Sequence, residues 1–256
     1  MDLKNIEFWE HEYLEQIYYL LSIDKDKMLN GLATKEDIRH DWEEFLGRQT
    51  SKSAVGSERI FYWLFNQFGI PNSSPIGSDL FFETYNAYIH IDVKTDKKTN
   101  IGDFNGEVTI QNNQTSYSGW VCKQNGNHCK YSANLPTIYT KPDGSKKVCL
   151  TYFISILYDE REYKVQSIVL TCMPNGELYD IYGNNVFKAG KAVGNPPKCT
   201  ARYKWRENKY FELLDDKPLR TKVLVWDPDD DINPNDLKHV KAIYDEQLER
   251  EENSLE

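Results

Sequence analysis

From Tyr88 to Thr95 the chain alternates polar and apolar side chains residue by residue, a pattern that restricts the backbone tightly. Successive side chains of a strand point to opposite faces, so Ile89, Ile91 and Val93 share one face and Tyr88, His90, Asp92 and Lys94 the other. The first set predicts a core face. The second places an acid and a base side by side at the strand end, on a face that can border a cleft. A preceding strand is expected over about Leu80–Glu83, and a short hairpin between the two brings Asp79 near Asp92.

Helical periodicity dominates what comes before. Ile6, Trp9, Tyr13, Ile17, Leu20 and Leu21 repeat at helical spacing over 5–22. Thr34 and Asp37 form a variant capping box for a helix through Trp42, Phe45 and Leu46, and a third is expected after Ser57 through Ile60, Trp63, Leu64 and Phe68. A last helix, capped near Asn235, carries Leu237, Val240, Tyr244 and Leu248 along one side. Further strands are expected at about 106–111, 148–158, 163–171, 176–182 and 221–226, separated by turn signals such as Asp143-Gly144 and Pro174-Asn175-Gly176. Helices flanking a central mixed β-sheet predict an α/β (or α+β) fold. The 256 residues suit a single domain. Its parts are a helical region over about 1–70, a sheet core over about 71–226 and an acidic terminal helix over about 227–256.

No apolar run is long enough to span a bilayer, and the acids Glu7, Glu10 and Glu12 are wrong for a targeting leader. Five cysteines without a leader point to free thiols in a reducing cytoplasm, and Cys122, His128 and Cys129 match no common zinc spacing. The net charge of -9 argues against a nucleic-acid partner until its distribution is read. Residues 227–256 hold eleven acids against three bases and residues 1–48 twelve against six, whereas the middle holds 17 acids and 22 bases. Within it, Lys188 to Lys209 carries seven bases and one acid, with Tyr203 and Trp205 among them. A solvated face and a phosphate-tracking loop both fit that run.

Two carboxylates beside a lysine suit metal-assisted attack on a phosphodiester. Mg²⁺ is a hard cation held by one or two carboxylates together with phosphate oxygens and water. A lysine nearby can orient the attacking water or stabilise the transition state. The bare acid-x-lysine pattern also occurs at Asp2/Lys4, Asp96/Lys98, Glu162/Lys164, Glu207/Lys209, Asp215/Lys217 and Asp236/Lys238. Only Asp92/Lys94 closes an alternating strand with an aspartate at hairpin distance upstream. Glu162/Lys164, with Asp159 before it, is the runner-up. A plain surface ion pair is the alternative at Asp92 and Lys94.

Asp79…Asp92-Val93-Lys94 resembles the PD-(D/E)xK signature, with Ser78 in place of the usual proline. The resemblance is to the EcoRV-like branch of the type II restriction endonucleases, and within it to enzymes of the BglI type. It is carried in order by Val55-Gly56-Ser57, Pro75 to Asp79, Ile91 to Thr95, Asn113-Gln114-Thr115-Ser116 and Phe187 to Lys191, covering 55–191 in patches. It implies a restriction-endonuclease-like core and Mg²⁺-dependent cleavage of double-stranded DNA, with Mn²⁺ able to substitute, by a homodimer. It further implies that Asp79, Asp92 and the main-chain carbonyl of Val93 bind the metal and that Lys94 positions or activates water. Glu58, early in the third helix, is a candidate further carboxylate, although acids are favoured near any helix start. The amide-rich segment with Asn112, Asn113, Gln114, Ser116 and Tyr117 is expected to contact bases or backbone, since Asn and Gln suit adenine edges. Lys97, Lys98, Asn100, Lys188 and Lys191 are expected on the DNA backbone. A structure-specific or repair nuclease on the same core, and a non-catalytic DNA-binding module, are the alternative readings.

Overall fold

The computed structural model describes residues 2–34, 60–61, 78–123, 126–159, 161, 164–190, 199–207, 212–214 and 218–253. The helix expected over 34–47 and most of the one after Ser57 lie outside these residues, as do Glu58, Glu162 and Lys191.

β7 (Lys146–Tyr158) is apolar almost throughout, and every residue after its first is buried. A strand covered on both faces sits at the centre of a sheet. β2 (Ala87–Lys97) runs parallel to it on one side and β8 (Val165–Met173) antiparallel on the other. β1 (Leu80–Glu83) and β11 (Thr221–Trp226) complete the order β1-β2-β7-β8-β11, and β6 (Ile138–Thr140) pairs with the start of β7. This is the expected mixed sheet. Helix α1 (Leu3–Ile23) packs on β7, β8 and β11 with Ile6, Leu14, Ile17 and Leu21 inward, and a second helical stretch, α2, follows over 25–34. The last helix, α3 (Lys238–Asn253), packs on β11. It is entered through a 3₁₀ turn whose cap is Asn233, two residues before the expected one. No described helix is long and apolar enough to cross a membrane.

Two smaller sheets lie beside the large one. β3 (Val108–Ile110), β9 (Phe187–Ala189) and β10 (Ala201–Tyr203) form one, and β4 (Gly119–Cys122) and β5 (His128–Tyr131) form a hairpin.

Three expectations need correction. Residues 176–182 are a 3₁₀ turn and one turn of α-helix, because the Asn175 side chain accepts the Glu177 N–H and starts a helix where a strand was expected. Gly176 lies so close to Ser116 that a Cβ there would come within 2.4 Å of the Ser116 carbonyl oxygen. Cys129 and Cys199 form a disulfide, leaving Cys122, Cys149 and Cys172 as thiols. Of the N-terminal acids, Glu7 and Glu10 are buried. The basic run is partly inward-facing as well. Lys188, Arg202 and Arg206 surround the buried Glu107 carboxylate at 2.6, 3.0 and 2.9 Å. Burial alone would raise that carboxyl, but the hydrogen bonds from Lys188 and Arg202 outweigh it and hold it below its ordinary value.

Candidate active site

The hairpin register decides where the acids meet. β1 and β2 pair with Leu80 opposite Ile91 and Glu83 opposite Tyr88, so Asp79 lies where the next pair would face Asp92. The hairpin is pinned to α1 by Tyr13, whose hydroxyl donates to Asn86 Oδ1 at 2.6 Å and lies 2.8 Å from Thr84 Oγ1. The Asp79 carboxylate accepts the Val93 N–H on Oδ2 at 2.7 Å, a charge-assisted bond that ties the two strand ends together.

Alternation holds along β2, but the second face is not a simple cleft wall. His90 and Asp92 are 2% and 3% exposed, so both faces of the strand are covered there. Ser78, in the place where the family motif has proline, puts its hydroxyl 3.0 Å from His90 Nδ1. Burial pushes the His90 imidazole down to about 4, which leaves it neutral at physiological pH. Asp92 is raised to about 6. Its burial is the main cause and the Asp79 carboxylate adds to it, against the pull of Lys94. The Lys94 ammonium sits against Asp92 Oδ2.

Gln114 completes this cluster. It is 4% exposed, and its amide Nε2 donates to Asp92 Oδ1 at 2.6 Å while Oε1 accepts from Lys94 Nζ at 3.3 Å. Sequence reading placed Gln114 on DNA, and its proximity to Asp92 has no local signal because it lies 22 residues away.

The donor chemistry fits a hard divalent cation. Two carboxylates crowd one another beside a single ammonium, and Asp79 adds to the rise that burial gives the Asp92 carboxyl. Among the described residues no three His, Cys, Asp or Glu side chains gather into a self-sufficient cage. Mg²⁺, which completes its shell with water and phosphate oxygens, needs no such cage.

The remaining expected site residues divide. Lys97, Asn100 and Asn112 are exposed, and the Asn112 amide bonds the Ser132 carbonyl. Ser116 and Tyr117 are buried: the Ser116 hydroxyl accepts the Gly176 N–H, and the Tyr117 hydroxyl donates to the Gly183 carbonyl. Both hold the fold together and neither faces outward. Lys98 is enclosed by Asp159, Asp229 and Asp231, and Lys188, though exposed, is paired with Glu107. Lys164 of the runner-up pair likewise binds Asp227 and Asp229. The sequence reading passed over the β4–β5 hairpin, where Trp120 and Lys130 are cross-strand neighbours and exposed. The alternation Gly119-Trp120-Val121-Cys122 was the available signal.

No curated protein matches the chain. It is similar in structure to the restriction endonuclease BglI bound to its DNA recognition sequence, with a TM-score of 0.52 and 17% identity over 86% of this chain and 97% of that one. It is also similar to the tetrameric restriction endonuclease SfiI bound to cognate DNA, with a TM-score of 0.60 and 15% identity over 87% of this chain and 85% of that one. At such identities the likeness establishes a restriction-endonuclease-like fold. The family models of the type II restriction enzyme MwoI match in succession, its N-terminal domain over residues 2–162 and its central domain over 165–226. The boundary between the two falls between β7 and β8, which pair with each other. With those matches covering most of its length, the chain belongs to the MwoI family of type II restriction enzymes.

Proposed function

We propose that this restriction enzyme hydrolyses phosphodiester bonds of double-stranded DNA at Asp79, Asp92 and Lys94, leaving 5′-phosphate and 3′-hydroxyl ends. The convergence of those three side chains at the joined ends of β1 and β2 carries the reading. Asp79, Asp92 and the Val93 main-chain carbonyl hold Mg²⁺, or Mn²⁺ in its place, and Glu58 is a further candidate carboxylate. When bound, the ion acidifies water and offsets charge that grows on the scissile phosphate. Lys94 orients the attacking water and stabilises that same charge, for which its partly exposed ammonium suits it. One site per strand calls for two copies related by two-fold symmetry. The whole chain acts as one unit, in the prokaryotic cytoplasm.

The proposed DNA face consists of Lys97, Asn100, Asn112 and Asn113, with Lys191 on the basic run, and extends to the β4–β5 hairpin. Trp120 is 50% exposed there, and beside it a cavity of about 280 Å³ is lined by Trp120, Lys123, His128 and Lys188. An exposed aromatic ring among cations is a surface that suits bases and phosphates. Replacing Lys123 and Lys130 together with alanine is expected to flatten the salt dependence of DNA binding by about one unit of log K per log[salt] for each lysine. Fluorescence anisotropy across a salt series measures it, and an unchanged slope would remove the hairpin from the DNA face.

The direct test is digestion of a methylation-free phage genome at low salt. Discrete fragments in Mg²⁺ that disappear in EDTA are expected. A smear, or no cleavage in Mg²⁺ or Mn²⁺ by folded protein that still shifts DNA, would overturn the reading.

A further inference from the structure

We propose that Gln114 is a positioning residue of this site, fixing the Asp92 carboxylate and the Lys94 ammonium through one side-chain amide. The inference rests on the reading of Asp79, Asp92 and Lys94 as the hydrolytic set, and moves Gln114 from DNA recognition to the support of catalysis.

The amide has one orientation that satisfies its surroundings. Nε2 meets the carboxylate oxygen Asp92 Oδ1, and Oε1 meets two donors, Lys94 Nζ and the Gln111 N–H at 2.9 Å. Exchanging oxygen and nitrogen would set oxygen against carboxylate and NH₂ against both donors. The turn that carries the amide is itself held. The Gln111 side chain returns a bond to the Gln114 backbone, closing a reciprocal cap, and Gln114 N–H donates to the Gln111 carbonyl at 3.0 Å. Asn134 N–H donates to the Asn112 carbonyl at 2.7 Å and Leu135 N–H to the Thr115 carbonyl at 3.2 Å. A rigid turn from outside the large sheet thus clamps one oxygen of Asp92 and leaves the other toward Lys94.

A neutral amide is the chemistry the position calls for. A carboxylate there would add negative charge to a pair that already crowds Asp79 against Asp92, and a cation would compete with the metal. Groups that hydrogen-bond a metal-binding carboxylate set its orientation, and losing one typically costs about 10- to 100-fold in metal affinity or activity. The same turn exposes Asn112, so a DNA contact there bears on the segment that holds Asp92.

The test uses the full chain with Gln114→Leu and Gln114→Glu, and Asp92→Ala as the control on the site itself. Mn²⁺ binding to DNA-free protein, read by titration calorimetry, is expected to weaken about 10- to 100-fold in Gln114→Leu, while metal-free DNA binding stays at the wild-type level. Gln114→Glu keeps an oxygen for Gln111 and Lys94 but turns a donor into a negative charge against Asp92, so its single-turnover cleavage is expected to fall as well. A residue that merely holds the turn would leave Gln114→Glu at the wild-type rate, and that result overturns the proposal even if the leucine variant fails to fold. Wild-type Mn²⁺ affinity in Gln114→Leu, or loss of DNA binding alone, overturns it too. Should Asp92→Ala cut normally, the hydrolytic set is wrong; should only the Gln114 variants behave as wild type, the positioning role alone falls.

Discussion

Asp92→Asn is expected to reduce cleavage on the order of 10³-fold while leaving the metal-free protein at least as stable as the wild type. The second half of that expectation follows from the raised carboxyl. Asp92 titrates at about 6 in the folded chain against an ordinary value of 3.8, chiefly because it is buried. Between those two values the native state holds a proton that the unfolded state has lost, so stability falls as pH rises through the window and stays lower above it. Two units correspond to about 3 kcal/mol as an upper bound. An asparagine carries no charge to bury, and its carbonyl oxygen can still accept the Gln114 N–H. In EDTA at pH 8 the variant should therefore melt at or above the wild type, and near pH 4 the advantage should vanish. Mg²⁺ should reverse the order, since an ion bound only by native wild type stabilises it by mass action. Thermal melts at both pH values, with and without Mg²⁺, check this. A variant that cuts at the wild-type rate, or that melts lower at pH 8 in EDTA, contradicts it.

What could be read from the sequence was whatever local geometry determines. Alternation over Tyr88–Thr95 set the faces of β2, and the short hairpin brought Asp79 to the Val93 N–H because both are consequences of neighbouring residues. The apolar run at 148–158 marked a strand for the same reason, and the structure places that strand at the centre of the sheet. Pairings across the chain left no such trace. Gln114 reaches Asp92 from another sheet's loop, and Cys129 finds Cys199 at a separation of 70 residues. The polar character of Gln111–Tyr117 suggested a surface loop, yet Gln114, Ser116 and Tyr117 spend their polar groups on interior partners. Pro174-Asn175-Gly176 misled for a different reason: asparagine before glycine can begin a helical turn as readily as a hairpin. Charge was the least legible property, since a run of bases looks solvated until Glu107 appears inside it.

Arg220→Leu is expected to cost about 3–5 kcal/mol, the penalty for stranding a buried charge. Arg220 is 2% exposed at the start of β11, and its guanidinium holds Glu10 of α1 at 2.7 Å. Glu10 also takes the Asn175 N–H at 2.6 Å, while Glu7, 3.9 Å from the guanidinium, takes the Tyr182 hydroxyl and the Leu213 N–H at 3.1 Å each. Burial raises both carboxyls, and Arg220 is the main opposing influence on each. The pair joins helix to sheet, but its net value is smaller than the cost of halving it, because two charges of opposite sign were desolvated together. Glu10→Leu combined with Arg220→Leu should accordingly recover part of the loss, and a double-mutant cycle in urea isolates the coupling. The pH dependence gives a second check. Without Arg220, Glu10 holds its proton in the fold to a higher pH than in the unfolded chain, so the variant's deficit relative to wild type should shrink as pH falls from 8 toward 5. A deficit below about 1 kcal/mol, or one that does not change with pH, would mean that Glu10 is not left charged and buried when Arg220 is removed.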